Sequence, residues 1–233
     1  MKTLYIICSL CILTAVRAQS DGISEYLLRS GAEAVVYSGK VESPYPGMTG
    51  HPYMDTDEYR EGTLWFDQRL YPAVLLRLNT HTDEIALLSP DRSCSVIVPS
   101  DRVDRAVLPE YTIVRHHQAD KEDVKQRRAL AEGYYAYVHQ GKFPVIRREV
   151  RYPDQKVNGM QLERTFALQS RTYIYKDGIY HAAGSKGNVL KLFGDRRREL
   201  NRYIRQEGLD FRNNRLGAIV ALVRYYESLS NNL

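Results

Sequence analysis

The chain has 233 residues, of which 43% are hydrophobic and 26% are charged, and its formal net charge at pH 7 is +5. This length is enough for one sizeable hydrophobic core or two small ones. The sequence contains no heptads, no low-complexity tract and no short-period repeat, which excludes coiled coils and repeat arrays.

The N-terminal segment has the features of a secretory signal peptide. Lys2 supplies a positive charge, residues 4–16 form an apolar run, and small residues follow this run. We predict a signal peptide over residues 1–18, with cleavage between Ala18 and Gln19. The alternatives are an N-terminal core helix and a lipid anchor on one of the two cysteines of this segment.

Export restricts the partners of the protein. Loss of the signal peptide lowers the formal charge to +3, and the tail from Lys186 onward carries ten basic and five acidic residues. An exported protein rarely meets nucleic acid, so we do not interpret the Arg-rich stretch GDRRRELNRYIR as a nucleic-acid-binding helix. No later stretch approaches the roughly 20 apolar residues of a membrane span. We therefore expect a mature chain without a transmembrane segment, in the periplasm, at the outer membrane or outside the cell.

Residues 19–185 are predicted to form an antiparallel β-rich domain, because strand-like segments follow one another through short turns. The predicted strands are 34–37, 63–66, 71–78, 84–88, 93–98, 106–108, 111–115, 134–138, 143–152, 164–175 and 179–182. Residues 118–131 are charged and helix-compatible, and we interpret residues 153–159 as a loop. Asp177 and Gly178 give a strong hairpin signal, since Gly accepts positive φ.

The hydrophobic period changes in the last part of the chain. Asp195 is a candidate N-cap of one helix, Gly208 can end it, and Asn213 or Asn214 can cap the next. Residues 186–233 are thus predicted as a helical segment packed on the β-rich domain. The predicted fold class is α+β, mainly an antiparallel curved sheet or a partly closed barrel with C-terminal helices.

No catalytic, cofactor-binding or metal-binding residue is predicted. The six histidines form no His-x-x-x-His pair, and no Gly-x-Ser-x-Gly motif occurs. Carboxylates that the fold brings together are not visible in sequence spacing, so a hydrolase stays open. Cys94, the single cysteine of the mature chain, is predicted to be a buried free thiol because it begins an apolar run.

Tyrosine is abundant, with 18 residues in the chain. On the predicted hairpin, two tyrosines of one strand share a face and a third lies across from them, which is typical of a binding surface. The candidate binding surface combines this hairpin with the basic helix and consists of Tyr173, Tyr175, Tyr180, Arg198, Arg202 and Arg205. The alternative is half-buried rings and a solvated helix face.

Two stretches carry a resemblance to a known family. They are GHPYM followed by EGTLWFDQRLYPAVLLRLNTHTDEIAL, and RTYIYKDGIYHAAGSKGNVLKLFGDRRRELNRYIRQEGLDF. Together they resemble an exported Bacteroidetes-type protein family of unknown function, with a Gly-His-Pro loop, Tyr-rich hairpins and basic C-terminal helices. The resemblance implies export and this architecture, and it supplies no catalytic residues.

We expect a non-enzymatic cell-envelope protein that binds or scaffolds a partner, without a cofactor. The alternatives are a glycan- or lipid-binding protein of the periplasm or cell surface, and an unrecognised hydrolase. A flat aromatic patch would favour the first, an apolar cavity inside a closed sheet would favour lipid binding, and a cleft with two carboxylates and a shifted pKa would favour a hydrolase.

Overall fold

The computed structural model describes residues 35–117, 130–158 and 161–231, so the predicted signal peptide and most of the segment 118–131 lie outside the described residues. The described part contains eleven strands, and three helices follow the last strand. The strands are β1 (Lys40–Val41), β2 (Arg60–Phe66), β3 (Arg69–Asn79), β4 (Glu84–Leu88), β5 (Ser95–Ile97), β6 (Val103–Val107), β7 (Thr112–His116), β8 (Gly133–His139), β9 (Val145–Asn158), β10 (Gln161–Lys176) and β11 (Ile179–Ala182). The helices are α1 (Lys186–Leu192), α2 (Arg197–Gln206) and α3 (Arg215–Asn231).

All eleven strands belong to one antiparallel sheet in the order β1-β5-β4-β3-β2-β6-β7-β8-β9-β10-β11. The sheet is curved but not closed, and β1 and β11 form its two edges. The predicted α+β class is confirmed. Of the two predicted forms, the structure has the curved open sheet and not the partly closed barrel, with the helices after it. Most neighbours in the sheet are also neighbours in sequence, which is why local strand and turn signals predicted most of the order.

Tight turns connect the hairpins where the sequence predicts them. Asp67 and Gln68, between β2 and β3, have φ of 50° and 61°, and Asp177 and Gly178, between β10 and β11, have φ of 52° and 79°. Positive φ at both central residues gives the turn the twist that matches the flanking strands.

Two hydrophobic cores lie on the same side of the sheet. The first packs the buried side chains of β2 to β8, such as Leu64, Leu76 and Ile113, against one another across the curved sheet. The second packs the inward side chains of β9 and β10, such as Val145 and Ile174, against the three helices. Each fully buried large apolar side chain stabilises the fold by about 1.5–3 kcal/mol. The helices therefore cover the end of the sheet that contains β9, β10 and β11.

The caps of the helices agree with most of the predictions. Gly208 has φ of 59°, and the Leu209 N–H donates to the Ile204 carbonyl at 3.1 Å, which ends α2 in a Schellman arrangement. The Asn214 side chain accepts from the Gly217 N–H at 3.1 Å and caps α3. The predicted Asp195 cap is wrong, because Asp195 lies in a 3-10 turn before α2 and accepts from the Tyr226 hydroxyl at 3.0 Å.

Two segments differ from the sequence prediction. Val35 and Val36 are helical and not extended, and Val36 is buried in the first core, so tertiary burial outweighs the weak β-propensity of a short run. The loop predicted from Pro153 onward is wrong as well, since β9 continues to Asn158. The Arg151 N–H donates away from β10, to the Thr80 carbonyl at 3.2 Å. Pro153 lies two residues further along the strand, so its backbone nitrogen also faces away from β10. The N–H that proline lacks would therefore not have donated to β10.

Candidate functional site

Five tyrosines lie on the side of the sheet opposite to the helices, and we call them the tyrosine face. Strand alternation places them there, because Ile174 packs under the helices and its neighbours point to the other side. Register joins the strands into one surface, since Ile146 is paired with Tyr137 on one side and with Tyr173 on the other. The tyrosine face consists of Tyr135, Tyr137, Tyr173, Tyr175 and Tyr180.

The outer part of the tyrosine face is a hydrogen-bonded aromatic shelf. Tyr175 and Tyr180 are directly opposite each other, with ring centroids 4.9 Å apart, and Tyr175 is 37% exposed. A hydrogen bond of 2.9 Å joins the hydroxyls of Tyr180 and Tyr137, and another of 3.0 Å joins the Tyr137 hydroxyl to Nε2 of His116. Burial, together with the hydrogen bond between Tyr137 and Tyr180, raises the pKa of Tyr137. These rings are held in place, so a partner that stacks on them loses little side-chain entropy.

The inner part of the tyrosine face opens into a pocket of about 490 Å³. Arg148 on β9 and Arg171 on β10 lie directly opposite each other and both line it, with the rings of Tyr135 and Tyr173 beside them. The remaining described lining consists of Leu130, Ala131, Val150 and Gln169. The pocket therefore presents two guanidinium groups on one wall, beside two tyrosine rings that are themselves buried.

The two arginines differ in their surroundings. The Arg148 Nη1 donates to the Tyr135 hydroxyl at 3.4 Å, its guanidinium carbon lies 5.4 Å from that ring's centroid, and its buried Nε has no partner among the described residues. Asp83 attracts Arg148, but its carboxylate is 3.6 Å from Arg115, and burial raises the pKa of Asp83. The side chain of Arg171 is exposed and makes no hydrogen bond or ion pair within the described ranges.

The structure brings together only half of the candidate surface that the sequence predicts. Tyr173, Tyr175 and Tyr180 belong to the tyrosine face. The other three residues, Arg198, Arg202 and Arg205, are exposed on α2, whose Leu200 and Ile204 are buried in the core on the opposite side of the sheet. The arginines that adjoin the tyrosines are instead Arg148 and Arg171, which the sequence analysis did not select. The sequence signal for these two residues is the presence of arginine in strands whose residues alternate between the two faces. Only the register of the strands shows that they lie opposite each other.

A cluster around Arg147 is the part of the structure that most resembles an acid–base site. The guanidinium of Arg147 donates to Asp55 at 2.9 Å and contacts Glu149 at 3.1 Å. Burial raises the pKa of Glu149, and Arg147 offsets this only in part. Burial acts on Asp55 as well, but there the hydrogen bonds from Arg147 and Tyr111 and the positive charges of Arg147 and Arg60 together outweigh it, and the pKa is lowered. Two carboxylates with pKa values displaced in opposite directions are typical of general acid–base pairs.

The groove beside this cluster shows only one of the two carboxylates. It has a volume of about 540 Å³ and lies between the sheet and α3, lined by Asp55, Arg60, Tyr111, Arg147 and Arg224 among others. Glu149 is only 7% exposed and does not line the groove, and its Oε2 has no partner among the described residues. The geometry therefore fits an internal ion-pair network better than an exposed catalytic pair.

A second polar cluster holds the loop after β1 against the sheet. The Glu42 carboxylate accepts from Arg77 at 2.8 Å, from Ser95 at 2.7 Å and from Tyr53 at 2.9 Å. The Arg77 guanidinium lies 3.6 Å from the centroid of the Tyr53 ring. Burial by itself raises the pKa of Glu42, but the hydrogen bonds outweigh it and the pKa is lowered. Every oxygen of this carboxylate is in use, so the cluster is structural.

Two further side chains with reactive groups, Cys94 and His139, lie in different parts of the structure. Cys94 is exposed, so the prediction of a buried thiol is wrong; it precedes β5, and the apolar residues after it supply the burial. His139 is joined to Glu227 on α3 by a contact of 2.9 Å, which docks that helix. Within residues 35–117, 130–158 and 161–231, no group of three His, Cys, Asp or Glu side chains is arranged to hold a metal ion.

Comparison with models of protein families, with curated proteins and with solved structures finds no match for this chain. Among the helices that the structure describes, none has the length and apolar character needed to cross a membrane.

Proposed function

We propose that the protein is an exported, non-enzymatic protein of the cell envelope that binds or scaffolds a partner through the tyrosine face. The observation that supports this most directly is the pair of Tyr175 and Tyr180 at the edge of the sheet, in which Tyr175 is exposed and the half-buried Tyr180 is hydrogen-bonded to Tyr137. Tyrosine is enriched in protein interfaces because it offers a large apolar ring with a polar end. The resemblance to an exported family agrees with the proposal.

Two of the alternatives, lipid binding and hydrolysis, have less support. An apolar cavity inside a closed sheet would favour lipid binding, but the sheet of this protein is open. A hydrolase is favoured by one observation, the Asp55–Arg147–Glu149 cluster, with its two displaced pKa values. If the cluster is catalytic, Glu149→Gln abolishes cleavage of a bound polysaccharide, measured as the release of reducing ends, and leaves binding unchanged.

The proposed function is tested by photo-crosslinking in intact cells. A photoreactive amino acid replaces Tyr175 or Tyr180, and matched positions on the helix layer, Lys191 and Arg202, receive the same amino acid. We expect a reproducible adduct from positions 175 and 180 only, identified by mass spectrometry. Adducts from 202 but not from 175 or 180 would transfer the binding role to the basic helix. No adduct at any position would contradict partner binding.

Export is tested separately. The N-terminal residue of the protein recovered from the envelope fraction should be Gln19. An intact N-terminus, or recovery of the protein with the cytoplasmic fraction, would refute the proposed location.

A further inference from the structure

We propose that the pocket between Arg148 and Arg171 binds the carboxylate of an acidic glycan, with a uronic acid residue as its occupant. This inference rests on the proposed function, because it names the partner of the tyrosine face. It goes beyond that function because it assigns the binding of the ligand's negative charge to Arg148 and Arg171.

The pairing of the two arginines is the first argument. Directly opposite residues of an antiparallel pair have Cβ atoms about 4.5–5.5 Å apart, and like charges at this distance destabilise the sheet. Arg148 shares Asp83 with Arg115, and Arg171 has no ion pair among the described residues. An oxyanion between the two guanidinium groups removes this repulsion.

The chemistry of the donors is the second argument. A guanidinium group presents a planar fork of N–H donors that matches a carboxylate, and such charge-assisted hydrogen bonds are among the strongest in proteins. The buried Nε of Arg148 has no acceptor among the residues that the structure describes. The exposed Arg171 is free to turn toward an incoming ligand, since it gives up no ion pair in the described structure.

The size of the pocket and the aromatic shelf beside it suit a sugar of a longer chain. Its volume of about 490 Å³ lies within the range of about 300–1,000 Å³ that is typical of small-molecule sites. Gln169 also lines the pocket and adds an amide for hydroxyl groups. The shelf of Tyr175 and Tyr180 lies on the same face, four residues beyond Arg171 along β10 and therefore roughly 13 Å from it, where a later sugar of the same chain can stack.

The test is a binding titration of the mature chain with oligogalacturonate, compared with a neutral galactose oligomer of equal length. Arg171→Gln should weaken binding of oligogalacturonate at least about tenfold, the effect of losing one charge-assisted hydrogen bond. Arg164→Gln is the matched control, because Arg164 is an exposed arginine of the same strand that points to the other face. It should leave the affinity unchanged.

Folding is controlled in the same proteins. Because removal of one of two opposed positive charges relieves repulsion, the denaturation midpoint of Arg171→Gln should equal or exceed that of the unchanged chain. A lower midpoint would contradict the argument that Arg171 lacks a counter-ion.

Three outcomes overturn the proposal. They are equal binding of the neutral oligomer, an equal effect of the two arginine variants, and tighter binding of poly-glutamate or of vesicles that contain phosphatidylglycerol. If a protein partner is captured at position 175 while oligogalacturonate does not bind, the inference fails and the proposed function stands. If neither is observed, both fail.

Discussion

Replacement of Glu42 by glutamine should destabilise the protein strongly, although the two side chains have the same shape. The Glu42 carboxylate is 6% exposed and accepts hydrogen bonds from Arg77, Ser95 and Tyr53. Glutamine presents an NH₂ group to these donors and leaves the arginine without its counter-ion. Breaking a buried ion pair by removal of one partner costs about 3–5 kcal/mol. We expect about 3 kcal/mol, the lower end, because Arg77 retains its bond of 2.7 Å to the Asp57 carbonyl.

The same cluster predicts a pH dependence. The pKa of Glu42 is lowered in the folded protein from its ordinary value of 4.5. A lowered folded-state pKa means that the stabilisation is complete above the unfolded-state pKa and is lost as the pH falls through the folded-state pKa. The difference in free energy of unfolding between the unchanged chain and Glu42→Gln should therefore be constant from pH 7 to about pH 5 and shrink below about pH 4.5.

Urea denaturation at several pH values measures both effects, from the midpoint and the slope of each transition. Glu163→Gln makes the same chemical change at an exposed position of β10 and serves as the matched control. A loss at pH 7 below about 1 kcal/mol would refute the reasoning, since such a value is typical of exposed ion pairs. So would a difference between the two proteins that stays constant down to pH 3.

Three further substitutions test the remaining parts of the structure. Phe193→Ala removes a fully buried ring whose centroid is 4.1 Å from that of Tyr226, and it should lower the free energy of unfolding in urea by about 3–5 kcal/mol; a loss under about 1 kcal/mol would show that the helix core repacks. Asn214→Ala removes the cap of α3 and should cost about 1 kcal/mol by thermal circular dichroism, whereas no change would contradict the cap. Gly133→Ala should cost about 1–3 kcal/mol in urea, because φ is 135° and the new Cβ would lie 2.5 Å from Arg148; an unchanged midpoint would disprove this close approach.

Local signals were sufficient for much of the fold. Glu84–Leu88 and Ile179–Ala182 have the bounds that the apolar and turn residues predict, because a period of two and a tight turn are properties of neighbouring residues. Gly208 and Asn214 were predicted for the same reason, since caps depend on backbone groups within a few residues. Such features do not require knowledge of any distant part of the chain.

The candidate site was predicted in part. That Tyr173 and Tyr175 share a face follows from strand alternation alone, and that Tyr180 lies across from Tyr175 follows from the turn at Asp177. Arg198 lies on the other side of the sheet from these tyrosines, and the sequence could not show this. The side on which a helix packs depends on the position of the apolar residues of the entire sheet.

The sequence by itself determined most of the strands, the hairpin turns, two of the helix ends and the tyrosine hairpin of this protein, because each depends on residues close together in the chain. Only the tertiary structure decided which arginine meets Arg148 and which groups meet the Glu42 carboxylate. It also decided that Cys94 is exposed. The physical reason is that register and the choice of a covered face are set by the summed burial of distant apolar side chains, and a shift of one residue would move every side chain of a strand to the other face.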